Sequence, residues 1–169
     1  MLPLFLVSEH GMEPHHANTI VALSRLPTLG MALVSGWVAD RVGLKRTMVC
    51  FLASTGIMTL LLGLAPGEWT VFIVFLQAML AVCFFPAALA ALSSIGLAGS
   101  RNLIISFTIP FAYLAGAGAT PALIGFMGNV GLFGWGIALV GMLMLVGAML
   151  CSLLPFPPQE AGRSAPVSR

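Results

Sequence analysis

Five apolar runs, each long enough to cross a lipid bilayer, constrain the fold of this chain more than any other feature. They cover about residues 17–39, 47–64, 68–95, 103–127 and 132–154, and a helix needs roughly 20 apolar residues to span the hydrocarbon layer. Only 7% of the 169 residues are charged, against roughly 25% in ordinary soluble domains. Because 59% are hydrophobic, a soluble fold could not bury the apolar surface. The sequence therefore predicts an all-α integral membrane protein with five full transmembrane helices.

The segments outside these runs set the predicted domain organisation. Residues 1–8 are apolar but too short to cross, and they lack the basic region and cleavage site of a signal peptide, so we expect the remnant of a truncated transmembrane helix. Residues 9–154 form the predicted membrane domain, whose short connections at 40–46, 65–67, 96–102 and 128–131 make consecutive helices antiparallel neighbours. Residues 155–169 are rich in Ser and Pro and predict a disordered tail.

Basic residues predict the orientation of the chain. They follow the first, third and fifth runs, as Arg41, Lys45, Arg46, Arg101, Arg163 and Arg169. The acidic residues Glu9, Glu13 and Glu68 lie on the opposite side. Loops rich in Lys and Arg stay in the cytoplasm, so we expect an external N-terminus and a cytoplasmic C-terminus in the cell (inner) membrane.

The connection after the first run resembles a known family signature. Its sequence, GWVADRVGLKR over residues 36–46, is similar to the signature loop of major facilitator superfamily transporters, G-x-x-x-D-R-x-G-x-K/R-K/R. The matching positions are Gly36, Asp40, Arg41, Gly43, Lys45 and Arg46. Leu44 alone departs from the fuller form, in which a basic residue is frequent there.

The resemblance implies which part of such a transporter this is. In twelve-helix members the loop occurs between helices two and three and again between helices eight and nine. In this chain the loop follows the first full span. One truncated helix precedes that span and four further spans follow the loop, which matches the end of helix seven through helix twelve. The resemblance thus implies the C-terminal half of a transporter, with a missing N-terminal six-helix half as its partner. Helices seven, eight, ten and eleven would line the cavity, and nine and twelve would lie outside.

The resemblance further implies that the loop is a conformational latch between the two halves in one alternating-access state. Gly36 is expected at a close helix approach, and Gly43 at a sharp turn. Asp40 is expected near the N-terminal end of a neighbouring helix, and Arg41 beside a carboxylate or helix-end carbonyls. Lys45 and Arg46 would anchor the next helix to anionic headgroups. The alternative is a basic loop that only sets topology.

Arg25 is the foremost candidate for a substrate contact, because a charge within a span costs roughly 2.5–3.5 kcal/mol on insertion scales and usually marks a cavity or pathway. It lies about eight residues from the outer end of its run, hence roughly 12 Å deep. An anionic substrate is favoured if Arg25 binds a ligand, and the alternative is a side chain that reaches the outer interface. Thr28, Gln77 and Tyr113 are further cavity candidates, each against an ordinary packing role.

Other residues predict structure rather than chemistry. Pro110 and Pro121 are expected to kink the fourth helix because proline lacks a backbone N–H. The histidines lie in an outer connection without the i, i+4 spacing of a helical metal pair, so we expect a solvated loop there. The cysteines lie within apolar runs and lack metal-binding spacing. Neither a metal nor a cofactor is expected.

The sequence thus favours transport of a small solute by alternating access, in a fragment that is inactive alone. An enzyme is not expected, since no HExxH motif, intramembrane aspartate pair or Ser/His arrangement is present in the spans. The predicted partners are a small-molecule substrate, the lipid bilayer and the missing half, without nucleic acid. The alternative is an independent half-transporter or interaction protein that assembles with another half.

Overall fold

The computed structural model describes residues 2–64, 67–94 and 101–153. Their elements are α1 (Leu2–Ser8), α2 (Pro14–Leu23), α3 (Leu26–Val42), α4 (Leu44–Leu64), α5 (Gly67–Ser94), α6 (Arg101–Tyr113), a π-helical segment (Leu114–Ala119), α7 (Thr120–Asn129) and α8 (Phe133–Leu153). No strand occurs within these ranges, and five helical segments are long and apolar enough to span a membrane. The predicted all-α membrane fold is confirmed. The predicted tail, 155–169, lies outside the described residues.

The first span, Pro14–Val42, is two helices rather than the expected continuous one over 17–39. The cause is Pro27, which has no N–H to donate to the carbonyl of Leu23 four residues earlier. At the break, the Arg25 N–H instead bonds the Ala22 carbonyl at 3.1 Å, and the Thr28 hydroxyl donates to the Arg25 carbonyl at 2.6 Å. The break therefore lies between Leu23 and Leu26, within the apolar span.

The fourth span changes its hydrogen-bond register between its two prolines. Pro110 lies inside α6 and Pro121 in the first turn of α7, with the π-helical segment between them. The Ala115 carbonyl accepts bonds from both the N–H and the hydroxyl of Thr120, five residues later, the hydroxyl at 2.9 Å. Such wide turns are often found at functional sites. A kink at either proline stays a prediction.

Helices α4 and α8 are antiparallel and make the tightest contact of the fold through glycines. A Cβ placed on Gly141 would lie 2.5 Å from the Leu60 nitrogen and 2.9 Å from the Gly56 carbonyl oxygen. At the far end of the contact, Gly63 and Gly134 bring their backbones equally close, since a Cβ on Gly134 would lie 2.5 Å from the Gly63 oxygen. Only residues without side chains permit this approach in lipid.

The short helix α1 packs at one end of this pair. Phe5 and Leu6 are buried, and the rings of Phe5 and Phe133 lie 5.8 Å apart, which fixes α1 against the start of α8. The Met12 N–H then bonds the Leu6 carbonyl at 3.2 Å and turns the chain into α2. Whether α1 is the end of a longer transmembrane helix stays a prediction.

Burial is uneven among the five spans. In the apolar windows of α4, α5 and α8, 28% of the residues are buried, against 17% in the first span and 6% in the fourth. The fourth span therefore presents a nearly complete ring of exposed side chains, among them Phe107, Phe111, Tyr113, Leu114 and Phe126. Within the described chain, the first and fourth spans have the most surface left for lipid or for another protein segment.

Candidate functional site

Arg25 lies at the break in the first span, with an exposed side chain. The helical span begins at Pro14, so Arg25 is roughly 16 Å along it and about 5 Å short of the midpoint of its 29 residues. The three residues that precede the apolar run, Pro14, His15 and His16, lengthen the helix but leave unchanged the depth of roughly 12 Å that the run implies for Arg25. That depth in the membrane stays a prediction.

Backbone hydrogen bonds continue across the break at Arg25. The Ser24 N–H bonds the Ile20 carbonyl at 2.9 Å, the Arg25 N–H bonds the Ala22 carbonyl at 3.1 Å, and the Thr28 N–H bonds the Arg25 carbonyl at 3.3 Å. The neighbouring hydroxyls are used as well: Ser24 donates to the Val21 carbonyl at 2.7 Å, and Thr28 to the Arg25 carbonyl at 2.6 Å. The exposed guanidinium is therefore the group that favours an anion at this point.

Thr28 is buried, with only 7% of its surface exposed. Its hydroxyl donates to the Arg25 carbonyl, which thereby gains a side-chain donor at the break, and its N–H bonds the same carbonyl at 3.3 Å. The structure thus joins Thr28 to Arg25 through the backbone of the break. Its role as a substrate contact stays a prediction, while its contribution to holding the break is visible in these bonds.

Gln77 faces another helix. Its Nε2 donates to the Thr59 hydroxyl of α4 at 3.4 Å, and Thr59 in turn donates to the Thr55 carbonyl at 2.8 Å. The Met144 sulfur of α8 lies 3.8 Å from the same hydroxyl. These contacts link α4, α5 and α8, as polar side chains often do between helices in lipid. Within the described residues, no hydrogen bond joins Gln77 to Arg25.

Tyr113 ends α6 directly before the π-helical segment, with 74% of its surface exposed. The next residues, LAGAGA, carry almost no side-chain bulk, and a Cβ on Gly116 would meet no described atom within 4 Å. An exposed phenol beside an open backbone is suited to a ligand contact, but no bond within the described residues joins it to Arg25. Its substrate role stays a prediction.

The signature loop is much tighter than the seven-residue connection expected at 40–46. Gly43 alone separates α3 from α4, and its φ of 96° is a conformation that other residues rarely adopt. Its N–H bonds the Ala39 carbonyl at 3.0 Å to close α3. Its carbonyl accepts the Thr47 hydroxyl at 2.9 Å to open α4. The sharp turn predicted for Gly43 is present, and Lys45 and Arg46 lie in the first turn of α4.

The other loop residues show one ring contact and one open space. The Arg41 guanidinium lies over the Trp37 ring, 4.3 Å from its centroid, and its pairing with a carboxylate or with helix-end carbonyls stays a prediction. Asp40 is exposed. A Cβ on Gly36 would meet no described atom within 4 Å, so the close approach expected there does not occur within the described chain. The latch role stays a prediction.

His10 has a contact that the sequence pattern did not indicate. A solvated loop was expected, whereas His10 is half-buried with its Nε2 3.3 Å from the hydroxyl of Thr70, a fully buried residue of α5. Its ring also meets Phe5 edge-on, with the centroids 5.1 Å apart. Gly67 leaves the space for this ring, since a Cβ there would lie 3.2 Å from His10 Nδ1; no pattern in the sequence pairs the two residues. Within the described residues, no cluster of metal-binding side chains is found.

Comparison with known proteins gives one finding. The family model described as Major Facilitator Superfamily matches residues 1–169, which is the whole chain. No curated protein and no solved structure matches the chain significantly. The match agrees with the resemblance that the loop at residues 36–46 carries.

Proposed function

Because the chain belongs to the major facilitator superfamily, whose members are membrane transporters rather than enzymes, we propose that it takes part in alternating-access transport of an anionic small solute. In this proposal the chain is the C-terminal half of a twelve-helix transporter and needs an N-terminal half to complete its cavity. The membrane is the cell membrane, with the signature loop on the cytoplasmic side. Arg25, at the break of the first span, contributes the anion-binding charge.

The observation that carries the proposal is the exposed Arg25 at an interrupted helix near mid-span. Transporters often bind substrates at the midplane, where broken helices direct their N-terminal ends at anionic groups. An uncompensated guanidinium at that depth costs roughly 2.5–3.5 kcal/mol on insertion scales. A water-filled cavity and an anionic ligand would remove much of that cost, which would give a charge at this position in the span a function.

The distribution of exposed surface supports the assignment to helices seven through twelve. In that assignment α4 and α8 correspond to the two outer helices, and they are the pair that packs through glycines. The first and fourth spans correspond to cavity-lining helices eight and eleven, and they are the least buried, at 17% and 6%. The third span, which corresponds to cavity-lining helix ten, is 28% buried, as the two outer helices are. Helix surface that faces a cavity, or the other half of the transporter, should make few contacts with the rest of this chain.

The exposed surface of the first and fourth spans also supports a second candidate function. Two copies of the chain could cover each other's first and fourth spans, which would make it an independent half that works as a dimer. Single-molecule photobleaching of the fluorescently tagged chain in native membranes distinguishes the two. Two bleaching steps per particle would support the dimer, and one step would support association with a different half.

A ligand screen by thermal unfolding tests the anionic-solute proposal. A ligand present at 100 times its Kd should stabilise the folded state by about 2.7 kcal/mol. We expect organic anions to stabilise the wild-type chain, assembled with its N-terminal half, more than neutral or cationic analogues of the same size. Arg25→Gln should abolish this difference, whereas Arg41→Gln, which removes the same charge from the exposed loop, should keep it. Equal stabilisation of the wild type and Arg25→Gln would contradict the proposed role of Arg25.

A further inference from the structure

The π-helical segment of the fourth span leaves one backbone carbonyl without its helical donor. In a regular α-helix the Gly116 carbonyl would accept the N–H of Thr120, four residues later. That N–H bonds the Ala115 carbonyl instead. The next N–H would come from position 121, which is occupied by proline and has none. Within the described chain, the Gly116 carbonyl therefore has no donor four or five residues later.

This carbonyl lies at the middle of the fourth span. Gly116 is the twelfth of the 25 residues of Ile105–Asn129, next to the midpoint at Ala117. A Cβ on Gly116 would meet no described atom within 4 Å, and the neighbouring residues of LAGAGA add little side-chain bulk over the backbone. An unpaired carbonyl is costly in the hydrocarbon layer, where such groups are tolerated only beside other protein or a water-filled cavity. The position of this carbonyl therefore indicates a binding partner outside the described chain.

The polar atoms in this turn of the helix are acceptors. The Thr120 hydroxyl donates its hydrogen to the Ala115 carbonyl at 2.9 Å, so its remaining lone pairs can only accept. The Ala115 carbonyl already accepts two bonds from Thr120. No charged residue occurs over residues 105–129, so the oxygens that are left, on Gly116 and Thr120, are neutral. Neutral, hard oxygens suit a monovalent metal cation, whereas a divalent cation usually takes carboxylates.

We propose that the Gly116 carbonyl and the Thr120 hydroxyl bind an alkali-metal cation, Na⁺ or K⁺, that accompanies the anionic solute. Two protein oxygens do not fill the coordination sphere of such a cation. Its other ligands are water and the anionic group of the solute, and this part of the assignment rests on the proposed function. Carbonyls of unwound helices coordinate Na⁺ in other transporters. The cation also offsets the negative charge that the solute brings into the span.

Thermal unfolding of the chain, assembled with its N-terminal half in detergent micelles, tests the cation site without any solute. The unfolding midpoint is compared in NaCl, KCl and choline chloride at the same concentration, because choline carries the same charge but is too large to enter a small oxygen site. At 100 times its Kd, the cation should raise the midpoint by about 5–10 °C above the value in choline chloride. The larger of the NaCl and KCl shifts identifies the preferred cation. Equal midpoints in all three salts would overturn the proposal and leave water as the partner of the carbonyl.

Pro121→Ala shows whether the Gly116 carbonyl is the ligand, because it supplies the missing N–H. In the π-helical register the new N–H reaches the Gly116 carbonyl, and in an α-helical register the Thr120 N–H reaches it. Alanine is also the better helix former, so the fold should be kept, and circular dichroism checks the helical content. The cation-dependent shift of the midpoint should fall to about 1 °C or less. A full shift in Pro121→Ala would overturn the site and indicate cation binding elsewhere.

Pro110→Ala is the matched control, since it is the same substitution in the same span. Pro110 removes the donor for the Ser106 carbonyl, which belongs to the second residue of Ile105–Asn129, at the end of the span. The cation-dependent shift of this variant should stay within about 2 °C of the wild type, and a loss equal to that in Pro121→Ala would overturn the site. Arg25→Gln should keep the cation shift while it loses the preference for anionic ligands. If the wild type prefers anions but shows no cation shift, the cation site is wrong and the anionic-solute proposal stands.

Discussion

The glycine contact between α4 and α8 gives a prediction whose size can be worked out from the structure. In Gly141→Ala the added methyl would lie 2.5 Å from the Leu60 nitrogen, 2.8 Å from its Cα and 2.9 Å from the Gly56 oxygen. Real Cβ atoms essentially never come within 3.0 Å of another heavy atom. All three neighbours are backbone atoms of α4, so no side-chain rotation relieves the clash, and the helices must separate by about 0.5 Å or more.

Two opposing terms set the net effect of Gly141→Ala. Overpacking costs about 1–3 kcal/mol, and the upper half applies where rigid backbones collide. Alanine also favours the helix over glycine by about 0.8–1.0 kcal/mol. The free energy of unfolding should therefore fall by about 1–2 kcal/mol. Gly30→Ala is the matched control, because a Cβ there meets nothing within 4 Å in the described chain, and it should be neutral or stabilising by up to about 1 kcal/mol.

Reversible unfolding in mixed detergent micelles measures this difference. Trp135 follows Gly134 in α8 and is close to the contact, so tryptophan fluorescence reports its loss. If Gly141→Ala is as stable as the wild type, or more stable, the tight α4–α8 approach described above is refuted. An equal loss in Gly30→Ala would also refute the reasoning, because open space would then cost as much as a backbone clash.

Three further predictions concern the loop and the completeness of the chain. Gly43→Ala should lower the free energy of unfolding by about 1–2 kcal/mol in denaturant titration, since φ is 96° there, and an unchanged midpoint would contradict the turn geometry. Asp40→Asn in the assembled transporter should reduce solute turnover more than it reduces the amount of protein in the membrane, as measured by uptake and immunoblot; wild-type turnover would remove the latch role. The chain reconstituted alone in vesicles should show no saturable uptake, because alternating access requires both halves, and saturable uptake would contradict the fragment proposal.

The sequence predicts well the features that depend on hydropathy and on the backbone conformations that glycine allows. Run length alone located the five spans, because lipid leaves few alternatives to a helix. The positive φ of Gly43 followed from its place between two helices in a motif with sharp turns. These features depend on local sequence, so a single chain is sufficient to predict them.

Features that depend on which groups pair across the fold were harder to predict. Hydropathy could not distinguish one long helix from the pair that meets at Arg25, although Pro27 is the visible cause. The hydrogen bond from Gln77 to Thr59 depends on how α5 is rotated against α4, which no pattern in the sequence indicates, and the role of Gln77 in the cavity stays a prediction. The π-helical turn before Thr120 depends on a hydrogen bond between residues five apart, from the Thr120 N–H to the Ala115 carbonyl, and no pattern in the sequence predicted it.

The central claim is that Arg25 lies in a water-filled cavity within the membrane, and thiol labelling tests it most directly. Arg25→Cys and Met142→Cys would be made in a chain with Cys50, Cys83 and Cys151 replaced by alanine. Each variant, assembled with its N-terminal half in native membranes, would be labelled with a membrane-impermeant reagent. Both positions are mid-span and exposed in the chain, but Met142 lies on the outer helix α8. Thiols react as thiolates, which form in water and not in lipid. We predict that Arg25→Cys reacts at least about 100-fold faster than Met142→Cys, and equally slow labelling of both would contradict the account.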